Sequence, residues 1–577
     1  MGAEMCIRDR INKVELGSVK NNRTPKYVSQ KNKGQTSFTG LGSLALKGIQ
    51  KCEESPMINV AVLDLSTAIL PRTFFETFIG SKKKDENGNE TRERKLNIMG
   101  GFEAFRREGS GLLINCMIPS FIVMGAAKLL NRPIMGAFNK SNLTRSWANG
   151  DTINCVSKYY KNAQGASKED RVFSTLKSMF DDIEGVDGDI GKGGLKKFKE
   201  IFANDEEYTN HLRKMAKNIV SEKPEKGYTT EMYKYLVRKS GIAENIKFSK
   251  DSGFFSSSLG HLCDSVGDVL HGASKEGILT PNANITANEG NFVKYLSKAK
   301  HLVNAKSIAG LGMIIPLAVA AQPINRWITH KLSGKKGAPI YNDDKERILT
   351  PEEKKQLTAR KFIDVPLMWG VAALSMLMDR PSLKMFQFKN IFPTMDQARI
   401  ISAATFSSRL AAAEDKNELH ENTIRDIATF SSFYFLGDYA AKGIATFLEK
   451  HNKDGIKLIN RLKDANPNDN IMKKFWNWAK HTKMKSTDEL SAIGNEALRT
   501  KAKNLRAICQ AGNLAFSLLS LGIFIPLYTR TQTNKKEKMQ KEQAINTPAQ
   551  SSPVGTTTSF TQNLMKDNTK AFKAFLG

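Results

Sequence analysis

The stretch AICQAGNLAFSLLSLGIFIPLYT, residues 507–529, contains no charged side chain and decides the fold class. Arg506 precedes it and Arg530 follows it. With a rise of about 1.5 Å per residue, an α-helix of this length is roughly 34 Å long and crosses the roughly 30 Å hydrocarbon core of a bilayer. We therefore predict a transmembrane helix at 507–529.

Two further runs without charge predict membrane spans. They are GSGLLINCMIPSFIVMGAA at 109–127 and SIAGLGMIIPLAVAAQPIN at 307–325. Proline inside such runs kinks a helix but is tolerated in membranes. The strings MIPS (117–120), IIPL (314–317) and FIPL (524–527) indicate that the helices are kinked in a similar way.

Two other apolar segments leave the alternatives open. VPLMWGVAALSMLM at 365–378 is short for a span and predicts a re-entrant helix, a tilted partner or a core helix. Asp64, Pro71 and Arg72 interrupt the segment at 58–80, so it predicts either a span or a buried or interfacial helix pair. IATFSSFYFLG at 427–437 favours a buried bundle helix over a span.

Residues 131–300 have apolar residues at helical spacing with charges between them, and almost no period-two alternation. Ser167 and Asp170 have the spacing of a capping box, as do Thr350 with Glu353, and Thr394 with Gln397. We predict a soluble helical domain here, with loops at 182–194 and 280–290.

The predicted fold class is all-α: a multi-helix membrane protein with a soluble helical insert and disordered basic termini. The first ten residues, MGAEMCIRDR, resemble translated sequencing-adapter read-through. The predicted segments follow the composition along the chain. They are a disordered N-terminus (1–40), a helical region with the span 109–127 (41–130), the soluble domain (131–300), a membrane or core region (301–450), basic amphipathic helices (451–506), the transmembrane helix (507–529) and a basic disordered tail with a short amphipathic helix (530–577).

The net charge of the chain indicates its partners, and the spacing of its cysteines indicates its redox compartment. Lys plus Arg number 87 and Asp plus Glu 58, so the net charge is +29, which attracts anionic lipid headgroups or nucleic acid. The six cysteines form no CxxC pair, which argues against a disulfide framework or a zinc ribbon and favours a reducing compartment. Lys and Arg flank both ends of each candidate span, so they do not orient it.

Tryptophan and basic residues beside the apolar runs predict membrane-interface contacts. IMKKFWNWAKHT at 471–482 forms a basic amphipathic helix that suits a bilayer interface, nucleic acid or an ordinary core contact. A lipid bilayer with anionic headgroups is the expected partner; a protein partner is a second, and nucleic acid is less favoured. The predicted interface residues are Trp327, Lys335, Lys336, Trp476, Trp478, Arg506, Arg530, Lys535 and Lys536.

Motifs for catalysis are weak. His261, Asp264, Asp268 and His271 share one helical face and are the best candidate metal ligands, although an amphipathic helix with a solvated polar face explains the same pattern. The glycine-rich 185–194 lacks the spacing of a phosphate-binding loop. We predict no catalytic residue and no cofactor, and expect that the protein is not an enzyme.

Two regions carry a resemblance. LPRTFFETFIG (70–80) with GGFEAFRREGSGLLINCMIPSFIVMG (100–125), and AVAAQPINRWITHKLSGKKGAPIY (318–341), are similar to uncharacterised multi-pass membrane-associated proteins predicted from gut bacterial genomes. That resemblance implies a membrane location and no activity. We expect an integral protein of the bacterial cytoplasmic membrane with a structural or interaction role. The alternatives are a transporter or channel-like protein, and a soluble basic helical protein that binds nucleic acid or anionic lipid.

Overall fold

The computed structural model describes a mostly α-helical chain with a few short strands. The described residues are 56–78, 82–84, 90–92, 96, 98–130, 148, 150–249, 258–281, 286–333, 349–377, 386–388, 393–463, 466–528, 531–532 and 535. The predictions for 1–49, and nearly all of those for 530–577, lie outside these residues.

The helices and strands are numbered in chain order. The helices are α1 (56–78), α2 (98–130), α3 (Gly150–Asn162), α4 (Lys168–Asp181), α5 (Phe198–Ile201), α6 (Glu206–Val220), α7 (Tyr228–Ser240), α8 (Leu259–Lys275), α9 (Thr286–Ser333), α10 (Pro351–Leu377), α11 (Met395–Ala411), α12 (416–451), α13 (Ile471–His481), α14 (Thr487–Ser491) and α15 (496–528). The strands are β1 (Lys82–Lys84), β2 (Glu90–Arg92), β3 (Ile183–Val186), β4 (Leu195–Lys197), β5 (Ile246–Phe248), β6 (Ile459–Arg461) and β7 (Thr482–Met484).

Residues 150–281, which we call the insert, fold around one apolar core. The core includes Phe180, Leu212 and Leu262, none of which is exposed to solvent. The capping box predicted at Ser167 and Asp170 is confirmed, since each residue binds the other's backbone N–H at the start of α4. A 3.6-residue apolar period therefore identified the helices α4, α6 and α7 correctly.

The insert also contains strands that the sequence did not predict. β4, β3 and β5 form an antiparallel sheet in that order. Strands of three or four residues are too short to show a period-two pattern, so the helical domain predicted at 131–300 contained no strand. The predicted loop 280–290 is also too long, because α9 begins at Thr286.

Helices outside the insert form a bundle, made of α1, α2, α9, α10, α11, α12 and α15. α1 and α2 are antiparallel, with Arg72 beside Glu108 and Gly101 against Thr77. α2 and α9 are antiparallel too, since Arg106 meets Asn325 at one end. We call this the loop end of the bundle, where α1 and α9 end and α2 and α10 begin.

The middle of the bundle is α11. Every residue from Gln397 to Leu410 is buried, so the other helices surround α11. The capping boxes at its start (Thr394 with Gln397) and at the start of α10 (Thr350 with Glu353) confirm both predictions. The buried aromatic segment predicted at 427–437 lies within α12, where Phe430 is fully buried.

Three bundle helices contain a π-helical turn that ends two residues before a proline. These turns are Asp64–Ile69, Leu113–Met117 and Leu518–Phe524, followed by Pro71, Pro119 and Pro526. Proline has no N–H and its ring collides with a carbonyl one turn earlier, so widening that turn keeps the helix continuous. The described part of the interrupted segment, residues 58–78, is accordingly one helix, α1, and not a pair.

The chain from 452 to 495 packs beside the insert. β6 and β7 form an antiparallel pair, so the prediction of helices throughout 451–506 is wrong at this point. The segment is fixed to the insert by Tyr233, whose hydroxyl donates to Asp488 at 2.5 Å, and by Asp187, which accepts a hydrogen bond from Lys485. Strands β1 and β2, between α1 and α2 in the sequence, form another antiparallel pair.

Candidate membrane interface and buried charge cluster

The insert and the bundle expose different surfaces. Among the described residues of the insert, no large apolar side chain is exposed. The bundle has many exposed apolar side chains along α1, α2, α9, α10 and α15, and we call this set of side chains the apolar belt. Its members include Phe74, Phe102, Phe121, Ile308, Trp327, Phe362, Trp369, Leu519 and Phe524.

Three helical segments are long and apolar enough to cross a membrane. They are Gly100–Ala126, Gly290–Leu332 and Glu496–Tyr528, and they overlap the three predicted runs at 109–127, 307–325 and 507–529. The run at 365–378 is the second half of α10, a helix of 27 residues, with Leu374 and Leu377 exposed on it.

The predicted interface residues have different environments. Trp327 is 62% exposed near the end of α9, and Trp476 and Lys535 are also exposed. Arg506 is not free for lipid, because its guanidinium donates to the carbonyl of Lys485. The structure does not describe Lys335, Lys336, Arg530 and Lys536.

Helix α13 is amphipathic as predicted, but only part of its apolar side is covered. Ala479 is buried and the Trp478 ring packs against Tyr439 of α12. Ile471 and Phe475 on the same predicted side remain exposed. The helix therefore combines a core contact with an exposed apolar edge.

The candidate metal ligands on α8 do not form a ligand group. His261 Nε2 lies 3.2 Å from the Ser265 hydroxyl, and His271 Nδ1 lies 2.9 Å from the Ile219 carbonyl oxygen. Asp264 and Asp268 are exposed. Within the described ranges, no three His, Cys, Asp or Glu side chains are placed to hold one metal ion.

A cluster of ion pairs joins α1, α2, α11 and α12 near the loop end. Glu108 accepts hydrogen bonds from Arg72 at 2.8 Å and from Arg409 at 3.2 Å. Asp426 accepts from Arg409 at 2.8 Å and lies 3.3 Å from Arg425. Arg409 thus bridges two carboxylates on different helices, which places α11 between α2 and α12.

Electrostatics explains why Arg425 keeps its charge inside this cluster. Burial lowers the pKa of the Arg425 guanidinium, but the negative charges of Asp426 and Glu108 raise it, and the net result lies above the ordinary value. Buried charges are tolerated in proteins when they are paired and hydrogen-bonded in this way.

A second group of polar contacts extends the cluster to α9. Arg326 pairs with Glu414 at 2.9 Å and with Glu418. Arg106 donates to the side-chain amide oxygen of Asn325 at 3.1 Å. These contacts fix the end of α9 against α2 and against the chain that connects α11 to α12.

A narrow cleft opens between these groups. Its lining includes five arginines and only two carboxylates, those of Glu103 and Glu418. The cleft has a volume of about 20 Å³, which is room for one water molecule or one anionic oxygen. The five arginines are Arg72, Arg107, Arg326, Arg409 and Arg425.

Sequence reasoning did not identify this cluster. Its signals were Arg106, Arg107 and Glu108 directly before the run at 109–127, and Arg409 within a largely apolar stretch. Glu108 and Arg409 are 301 residues apart, so only the fold brings them together.

No family model, curated protein or solved structure matches this chain. Two features of the structure have a chemistry that bears on function. One is the apolar belt, which favours a hydrocarbon environment, and the other is the arginine-rich cleft, which favours an anion.

Proposed function

We propose that this chain is an α-helical integral membrane protein in which the bundle is embedded in lipid and holds the insert at one face of the bilayer. The observation that carries the proposal is the contrast between the apolar belt of the bundle and the insert, whose described part exposes no large apolar side chain. A surface of that kind is costly in water, whereas it is normal in contact with lipid tails. The role that this arrangement fits is structural or an interaction role.

The charge of the chain favours an anionic membrane as the partner. A net charge of +29 attracts acidic headgroups. The exposed Trp327 directly follows Arg326 and the exposed Trp476 lies two residues after Lys474, as is typical of interfacial residues. The bacterial cytoplasmic membrane is the location we propose. A protein is the second partner that we propose for the insert, since its described part exposes no large apolar side chain that would favour lipid.

Transport is the second candidate, and one observation favours it. The buried central helix α11 carries Ser402, Thr405 and Arg409 inside the bundle, where polar groups often mark a substrate path. Two of them are engaged in structural contacts, since Thr405 donates to Asn115 at 3.0 Å and Ser402 pairs with Tyr434 at 2.7 Å. Those contacts favour a role in holding the bundle together.

Extraction of membranes with alkaline carbonate tests the proposal. We expect the full chain to stay in the membrane pellet, because apolar contacts with lipid tails are insensitive to pH and salt. Release into the soluble fraction would favour a soluble basic protein, and release by high salt alone would indicate electrostatic docking. Ion or solute flux in reconstituted vesicles would instead support transport.

A further inference from the structure

The inner part of the charge cluster holds more arginines than carboxylates. The cleft lining carries five arginines against the two carboxylates of Glu103 and Glu418, and three of these arginines, Arg72, Arg409 and Arg425, pair with Glu108 or Asp426. The guanidinium of Arg107 is the least engaged: its nearest acidic oxygen among the described residues is that of Glu108, at 4.0 Å. An additional anion would therefore be stabilised at this point.

A buried donor in the cleft wall also has no acceptor. Arg409 is more than nine-tenths buried, and its Nε has no hydrogen-bond partner within the part of the chain that the structure describes. Leaving such a group unmatched costs free energy, and an oxygen that accepts from it would recover part of that cost. The cleft has room for one such oxygen.

The cleft lies at the boundary of the apolar belt. Glu108 directly precedes the charge-free run 109–127, and Arg326 directly follows the run 307–325 on the antiparallel helix α9. Each run is roughly 28 Å long as a helix, close to the thickness of the hydrocarbon core. Phe102, Phe105 and Trp327 are exposed at the same end, as aromatic side chains at headgroup level are.

We propose that the arginine-rich cleft binds the phosphate group of an anionic phospholipid, with one phosphate oxygen inserted between Arg107 and Arg409. This inference rests on the proposed membrane location of the bundle. The ligand chemistry is that of a phosphate anion, which forms charge-assisted hydrogen bonds with guanidinium groups. Its position at the hydrocarbon boundary favours a lipid headgroup over free phosphate as the source, because basic pockets between membrane helices recognise such headgroups.

The test is a titration of the purified full chain in detergent micelles. Phosphatidylglycerol, phosphatidylcholine and inorganic phosphate are added in separate arms, and native mass spectrometry counts the bound molecules. Arg107→Gln is the test variant, since Glu108 keeps Arg72 and Arg409 as partners and the fold is preserved. Lys331→Gln is the control, because Lys331 is exposed near the same end of α9, carries the same charge and does not line the cleft.

We expect one tight phosphatidylglycerol site that Arg107→Gln weakens about tenfold or more, while Lys331→Gln changes it less than about twofold. Arg107→Lys keeps the charge and should retain most of the affinity. Equal losses in Lys331→Gln and Arg107→Gln, or no loss in either, would overturn the proposal. If inorganic phosphate displaces the lipid with the same dependence on Arg107, then free phosphate is the ligand and the lipid assignment is wrong.

The phosphate arm also separates this inference from the proposed function. Release of the chain by carbonate would reject the membrane location, whereas binding of inorganic phosphate at Arg107 would still show an anion site. Conversely, a chain that stays in the membrane pellet but has no Arg107-dependent site would reject only the cleft.

Discussion

The insert and the bundle are built in opposite ways. The insert buries apolar side chains such as Phe180, and its described part exposes no large apolar side chain. The bundle instead buries the charged side chains of Arg409 and Asp426 and exposes apolar side chains such as Phe121. Burying apolar side chains is favourable in water. Exposing apolar side chains is favourable in hydrocarbon, where charged side chains must form pairs inside the protein. The surface of the insert is therefore suited to water, and that of the bundle is suited to a hydrocarbon environment.

The largest effect should follow the loss of the carboxylate that the cluster shares. Glu108→Gln leaves Arg72, Arg107 and Arg409 without their common partner, and we expect the free energy of unfolding in detergent to fall by about 3–5 kcal/mol. Chemical denaturation followed by circular dichroism measures it. Glu103→Gln, on the same helix at the rim of the cleft, should change stability by less than about 0.5 kcal/mol. Equal effects of the two variants would show that the cluster does not hold the bundle together.

Replacing one phenylalanine by alanine in each region compares how much a buried and an exposed aromatic side chain contribute to stability. Phe180→Ala in the insert removes a side chain with no solvent exposure and should cost about 3–5 kcal/mol. Phe121→Ala on the bundle removes a side chain that is 63% exposed and should cost far less, because no cavity forms. Thermal unfolding of both variants in the same detergent is the measurement. A Phe121→Ala penalty as large as that of Phe180→Ala would mean that another part of the protein covers this side of α2.

A charge on the apolar belt tests which surface lipid contacts. Leu519→Arg in α15 places a cation in the predicted span, where insertion costs about 2.5–3.5 kcal/mol. Asn210→Arg on the exposed face of α6 in the insert adds the same charge in water and should have no effect. The fraction of each variant recovered in the membrane pellet is the readout. Normal membrane integration of Leu519→Arg would indicate that α15 is not embedded.

The smallest effect concerns the contact between the insert and the chain after β7. Burial raises the pKa of Asp187, but Lys485 and Lys196 lower it by more, so the net pKa lies below its ordinary value of 3.8. The contact therefore stabilises the folded chain above about pH 3.8, and this contribution is lost as the pH falls further.

Asp187→Asn should remove that pH dependence, which we expect to be about 1 kcal/mol at most for a partly exposed pair. Unfolding of the variant and the parent chain at neutral and at acidic pH measures the difference. Glu200→Gln, at an exposed site in the insert, is the control. An unchanged acid-induced loss of stability in Asp187→Asn would assign that loss to other carboxyl groups.

Local patterns explain what the sequence predicted and what it did not. The runs at 109–127, 307–325 and 507–529 and the capping boxes depend on neighbouring residues, so the structure agrees with them. Strands β3, β4 and β5 are too short to show a period-two pattern. The π-helical turns before proline relieve a steric clash of the proline ring, and a hydropathy pattern contains no information about that clash. The arginine-rich cleft joins residues hundreds of positions apart, so no spacing in the sequence could indicate it.

Labelling from the lipid phase tests the central claim most directly. A photoactivatable carbene reagent dissolved in the membrane reacts only with side chains that contact lipid tails, and mass spectrometry of peptides locates the adducts. We expect adducts on 98–130, 286–333 and 496–528, which contain the three apolar segments, and none on 150–281. Labelling of the insert, or no labelling of those three helices, would contradict the account.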